Sequence, residues 1–150
     1  MKSSKLNINK SFKTLSGLKI AVVSTFWNEE VIIPMLKDCL AKLNEYDLET
    51  ESFVVPGAYE LPLTAKCLCK TFDAVILLGC IIKGETPHFE IISQSISDNV
   101  LRTSLEEETP IIFGVLTTNN ESEAKERAAY KGSEFAESAL STLDTLKKIK

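Results

Sequence analysis

An α/β domain of about four parallel strands, with helices on both faces of the sheet, is the fold class this sequence predicts. Three observations predict it. Apolar runs at residues 18–24, 72–78 and 111–116, with a fourth strand-like stretch at 50–55, have the near-continuous hydrophobicity of strands covered on both faces. A helical pattern or a helix-start signal follows each run, the alternation that produces parallel strands joined by crossover helices. Finally, 150 residues with 44% hydrophobic and 25% charged side chains suit one compact core.

Residues 1–17 are lysine-rich and poor in large apolar groups, so they are expected as an N-terminal arm, either disordered or added as a strand to a neighbouring subunit. A single domain is expected over 18–150. Its first strand, Leu18 to Ser24, ends at Thr25-Phe26-Trp27-Asn28. Asn28 is the expected cap of a helix with Glu29 and Glu30 in its first turn and Val31, Met35, Leu36, Leu40 and Leu43 at helical spacing. Thr50 to Val55 is the second strand, stopped by Pro56-Gly57, and Pro62 to Cys69 reads as a short helix.

The third strand, Phe72 to Leu78, is the natural central one. A glycine-containing turn from Gly79 to Gly84 follows it, then Thr86 as N-cap and Pro87 as first helical residue, where the missing N–H of proline costs nothing. This helix is expected to reach Glu107 with Phe89, Ile92, Ile96, Val100 and Leu101 on one face, ended by Thr109-Pro110. Ile111 to Leu116 is the fourth strand, and Asn120 caps the next helix. Gly132 is expected to interrupt that helix, with Ser133 opening a last one whose stripe is Phe135, Ala136, Ala139, Leu140, Leu143 and Leu146.

A formal net charge of -4 and a pI near 5.1 argue against nucleic acid as a partner. No apolar run approaches the roughly 20 residues needed to span a bilayer, and the first residues lack a signal-peptide pattern, so a cytoplasmic protein without membrane contact is expected. Cys39, Cys67, Cys69 and Cys80 match no metal or redox spacing and read as reduced, buried small hydrophobes.

In such a sheet, ligands bind beyond the strand C-termini. The expected rim carries Trp27, Ala58, Glu60, the stretch Lys83 to His88, and Phe113. Trp27 is either a flat face for a planar ring or a loop-packing tryptophan, and Glu60 either a hydrogen-bond acceptor for a ligand or a solvated charge. The turn Gly84-Glu85-Thr86 before a helix start, with Lys83 beside it, is a candidate phosphate pocket. His88, the sole histidine, is the candidate proton carrier. From the residues alone, a plain strand-to-helix turn and a surface histidine remain the alternative.

Trp27-Asn28, Val55-Pro56-Gly57-Ala58-Tyr59-Glu60-Leu61-Pro62, Leu78-Gly79-Cys80-Ile81-Ile82-Lys83-Gly84-Glu85-Thr86-Pro87-His88-Phe89, Phe113-Gly114-Val115-Leu116-Thr117-Thr118 and Glu126-Arg127-Ala128 resemble the lumazine synthase family in order and spacing. The resemblance runs from about Leu18 to Leu146. It implies a flavodoxin-like three-layer sandwich and the penultimate step of riboflavin synthesis: condensation of 5-amino-6-ribitylaminouracil with 3,4-dihydroxy-2-butanone 4-phosphate to 6,7-dimethyl-8-ribityllumazine, releasing phosphate and water. It implies no metal and no organic cofactor. Trp27 would stack on the pyrimidine, Ala58 and Glu60 would hold the ribityl chain, and Ile81, Ile82 and Lys83 would line the ring site. Gly84, Glu85 and Thr86 would bind the butanone phosphate, and His88 would move protons. Phe113 and Arg127 would come from the adjoining subunit of a homo-oligomer, a pentamer or a larger assembly of pentamers, with riboflavin synthase as a further partner.

The resemblance has one departure. After Arg127-Ala128 the family pattern is about four residues longer, whereas this chain passes through Ala129-Tyr130 straight to Lys131-Gly132. Lys131 and Glu134 match the family's later Lys-Gly-x-x-Glu pattern, which implies a substrate-binding role for Lys131. A lumazine- or flavin-binding module and a shell protein without chemistry are the alternatives from other classes; formation of lumazine from both substrates separates the enzyme from either.

Overall fold

Alternation along the two central strands sets the layers. The structure, a computed structural model, describes residues 12–84 and 88–150. Strands β1 (Lys19–Thr25), β2 (Glu49–Val55), β3 (Ala74–Ile82) and β4 (Ile111–Thr118) form one sheet in the order β2-β1-β3-β4, every neighbouring pair parallel. The helices are α1 (Glu29–Leu43), α2 (Leu61–Leu68), α3 (His88–Glu107) and α4 (Glu121–Ile149). Ile20, Val22, Ile76 and Leu78 point into a core shared with α1 and α4, while Ala21, Val23, Val75 and Leu77 point into a second core shared with α2 and α3. Successive side chains leave a strand on opposite faces, so a strand apolar throughout needs a helix layer on each side. The result is the three-layer α/β sandwich expected. Among the described residues no helix is long and apolar enough to cross a membrane.

Several elements differ from expectation for identifiable reasons. β3 does not end at Leu78: Gly79 to Ile82 continue the strand, because β4 runs alongside and pairs Gly79 with Val115 through Ile82 with Thr118. The strand therefore runs on to Ile82. Thr86 and Pro87, expected to open α3, lie outside the described residues. Leu101 is not on the inner face of α3; it is 62% exposed, and Ile96, Val100 and Thr103 are the buried positions. Cys67 is exposed and Cys69 half-buried, so only Cys39 and Cys80 are the buried thiols expected. Of the expected arm, residues 1–11 lie outside the described residues. Phe12 and Leu15, however, are buried against α1 and α4, with the Phe12 ring edge-on to Tyr46 at 5.2 Å.

The largest difference is at Gly132. No interruption occurs there, and α4 is a single helix of 29 residues. A glycine inside a helix costs about 1 kcal/mol relative to alanine. Here the glycine is required by close approach: a Cβ at position 132 would stand 2.1 Å from the Met35 carbonyl oxygen and 2.7 Å from the Cys39 nitrogen, both backbone atoms of α1. Two polar ties flank the contact. The Asp38 carboxylate accepts the Ser133 backbone N–H at 2.7 Å, and Lys125 pairs with Glu30 at 3.0 Å.

Gly132→Ala should therefore destabilise the fold despite alanine's better helix propensity. Two helix backbones must separate, and overpacking of this kind costs about 1–3 kcal/mol against the propensity gain of about 1. A urea midpoint shifted downward is expected. An unchanged or raised midpoint would show that the two helices part freely.

Candidate functional site

The strand order reverses between β1 and β3, and such a switch point opens a crevice at the strand C-termini. Described residues stand on both sides of the switch point. On the β1 side, the Trp27 N–H donates to the Pro56 carbonyl at 3.0 Å, which fastens the end of β1 to the end of β2. Asn28 is left-handed (φ 61, ψ 40), a conformation asparagine tolerates better than most residues. Its side chain does not cap α1. It reaches across the switch point instead and donates to the Cys80 carbonyl at 3.3 Å.

Trp27 is 59% exposed, its ring edge-on to Phe26 with centroids 6.3 Å apart. It rises from the rim, so packing under the loop is not its role. Behind it, Ala58 to Glu60 form a single 3-10 turn, and the Glu60 carboxylate accepts the Gly57 N–H at 3.0 Å. Glu60 is thus a held group rather than a solvated charge.

Across the crevice, Ile81 and Ile82 are half-buried at the end of β3, and the Lys83 N–H donates to Thr118 at 2.8 Å. The Lys83 ammonium lies 3.9 Å from Glu90 with both groups exposed, an ion pair of little energetic weight that leaves the lysine available. Among the described residues, nothing lies within 4 Å of where a Gly84 side chain would begin. Glu85 and Thr86 lie outside the described residues. His88, exposed, is the first residue of α3.

Trp27, Ala58, Glu60, Ile81, Ile82, Lys83, Gly84 and His88 therefore share one end of the sheet. Phe113 does not join them. It is the third residue of β4, in register with Leu77 and half-buried on the α2/α3 face. At about 3.3 Å per residue it lies roughly 16 Å before the strand end at Thr118. The expectation that it sits on the rim is corrected: its number in the chain is late, but its place in the strand is early.

Arg127 is exposed on α4 and donates to the Thr117 carbonyl at 3.4 Å rather than pairing with Glu123 or Glu126. Lys131 pairs with Glu134 at 3.0 Å and lies against the Tyr130 ring. The sequence reading missed two contributors. Asn28 suggests a cap because a left-handed backbone leaves no trace beyond the residue type, and Gly57, though part of the family-like motif, suggests by itself no more than a strand stop.

Burial pushes the Cys80 thiol up to about 11 and the Cys39 thiol to about 12, so neither is a nucleophile at neutral pH. Among the described residues no group of three His, Cys, Asp or Glu side chains gathers as a metal-holding cluster. A cavity of about 650 Å³ lies at the opposite end of the sheet, lined by residues such as Leu18, Phe72, Asp73, Pro110 and Lys147, and shares no residue with the rim.

An α/β domain with an exposed aromatic, a held carboxylate, a lysine and a histidine around its switch point belongs to the class that binds small polar, planar ligands at strand ends. Comparison with known proteins narrows the class. The family model described as 6,7-dimethyl-8-ribityllumazine synthase matches residues 17–147. A 6,7-dimethyl-8-ribityllumazine synthase of Corynebacterium glutamicum (strain R) is 40% identical over 133 residues, covering 87% of this chain and 84% of the relative. That of Thermobifida fusca (strain YX) is 40% identical over 141 residues, covering 89% and 83%. That of Mycobacteroides abscessus is 36% identical over 142 residues, covering 90% and 89%. The chain belongs to the 6,7-dimethyl-8-ribityllumazine synthase family.

Thiol accessibility checks the geometry behind the rim. A disulfide reagent at neutral pH should modify Cys67 rapidly and spare Cys39 and Cys80 until the protein unfolds. Rapid modification of Cys80 in the native protein would show that the floor beneath the rim is open.

Proposed function

We propose that the protein condenses 5-amino-6-ribitylaminouracil with 3,4-dihydroxy-2-butanone 4-phosphate to 6,7-dimethyl-8-ribityllumazine in riboflavin biosynthesis. The observation that carries this reading is what gathers at the strand ends: an exposed tryptophan on one side of the switch point, and on the other a lysine and a glycine ahead of a helix that opens with the sole histidine. Family membership over almost the whole chain supports it.

The reaction joins an aromatic amine to a ketone, loses water and phosphate, and closes a ring. Every stage moves a proton, and none needs an oxidant. Holding two substrates in contact converts a bimolecular encounter into a local one, which can supply much of the rate. Trp27 stacks on the pyrimidine, Ala58 and Glu60 meet the ribityl chain, and Ile81, Ile82 and Lys83 line the ring. Gly84, Glu85 and Thr86 take the phosphate. His88 carries protons between the reacting atoms and the leaving groups.

The same reading makes the site a shared one. Phe113 sits too far down its strand to line its own rim, which supports a role in a neighbour's site. Ile91, Leu101 and Leu105 on α3 are 63%, 62% and 71% exposed, apolar area of the kind that subunit contact removes from water. We therefore propose a homo-oligomer built from pentamers, with Arg127 and Lys131 presented towards an adjoining subunit's phosphate turn. Riboflavin synthase would consume the product. Four free cysteines are in keeping with a reducing, cytoplasmic setting.

Incubation with both substrates should yield the lumazine absorbance; its absence under conditions of intact assembly would refute the enzyme. His88→Ala should lower turnover roughly ten- to a thousandfold, the span of a general acid–base contribution partly replaced by water. Unchanged turnover would remove His88 from the mechanism.

Sharing of the site is tested by mixing. His88→Ala and Arg127→Ala proteins, dissociated and reassembled together, should recover part of the activity, because some mixed interfaces regain both residues. No recovery, with mixed oligomers confirmed by native mass spectrometry, would refute the shared site.

A further inference from the structure

We infer that Gly57 is a positioning residue that sets the resting angle of the Trp27 ring, and through it the fit of the planar substrate. The inference rests on the reading of Trp27 as the stacking side chain. A Cβ at position 57 would stand 2.3 Å from Trp27 Cε3 and 2.6 Å from Cζ3, whereas non-bonded carbons settle at about 3.5–4.0 Å. The ring therefore rests on the bare backbone of Gly57, at a distance no other amino acid permits.

Conformation does not explain the glycine. Its φ of -146 and ψ of -178 describe extended backbone open to any residue. Among the described residues, the Trp27 ring is the only obstacle within 3 Å of the missing Cβ, so contact with Trp27 is the physical reason for the residue type.

The shelf is fixed on both sides. Glu60 holds the Gly57 N–H at 3.0 Å, and the Glu60 N–H returns to the Gly57 carbonyl at 3.2 Å. The preceding residue, Pro56, accepts the Trp27 N–H at 3.0 Å. Shelf and tryptophan backbone are thus held in one frame, and the absent methyl group decides how far the ring can settle. Because the ring is largely exposed, a side chain at 57 would swing it aside at little cost in stability. The cost falls on stacking, where a planar pyrimidine-type ligand needs the aromatic face at van der Waals distance.

The test is a double-mutant cycle of Gly57→Ala, Trp27→Ala and both together, with KM measured separately for each substrate. Gly57→Ala should raise KM for the ribitylaminouracil roughly tenfold, the scale of a lost aromatic contact. It should leave KM for the butanone phosphate and the thermal midpoint essentially unchanged, and it should alter the near-ultraviolet dichroism of the sole tryptophan. Placed in the Trp27→Ala background, it should add nothing. A wild-type KM and spectrum for Gly57→Ala would overturn the positioning role alone, as would an effect that adds in full to that of Trp27→Ala. No effect of Trp27→Ala would overturn both the stacking reading and the positioning role. Should Gly57→Ala fold poorly, normal folding of the double variant would support the ring as the obstacle, and failure of both would overturn it.

Discussion

Burial of β1 and β3 on both faces is the constraint on which the other features depend. Their side chains alternate between two separate cores, so neither strand has a face that water can reach. Each must then be joined to its parallel neighbour by a crossover that packs a helix on one face or the other. Crossovers return every strand in the same direction, which brings all four C-terminal ends to one edge. The chemistry collects there because the backbone groups of the turns and the first turn of α3 are the polar features that a two-faced apolar sheet leaves over.

The same constraint explains what could be read from sequence. Strand and helix types followed from the apolar runs of residues 18–24, 72–78 and 111–116, because double-sided burial admits few polar residues. The end of β3 did not follow. Gly79 looks like a turn signal in isolation, and only the parallel partner β4 makes it a ladder residue. Gly132 misled in the same way: local propensity argues for a break, while α1 packed at backbone contact overrides it. Leu101 shows the limit of periodicity, since an apolar residue on a helix marks a buried face without saying whether this chain or another covers it.

Within the site, Trp27, Glu60 and Lys83 were legible because strand ends are predictable and these residue types are conspicuous there. Asn28 and Gly57 were not, since their contributions are a left-handed backbone and an absent side chain. Phe113 was misplaced because a rim position was inferred from its strand, and its depth along that strand depends on a register that no single strand encodes.

The two ties between α1 and α4 have a geometric property that concerns chain length. Glu30 and Asp38 on one helix, and Lys125 and Ser133 on the other, are each eight residues apart, so the helices rise together like two matched screw threads. Arg127 lies between the ties, and its angular phase follows from the packing of α4 on α1 around Gly132. Four extra residues of unbroken helix between Lys125 and Ser133 would lengthen α4 by about 6 Å and turn it by about 40° beyond a full revolution, and both ties could not then close. A chain that kept both ties and carried four more residues there would have to leave the helical path at this point. Eight residues on each helix is thus the count at which a single rod meets both ties.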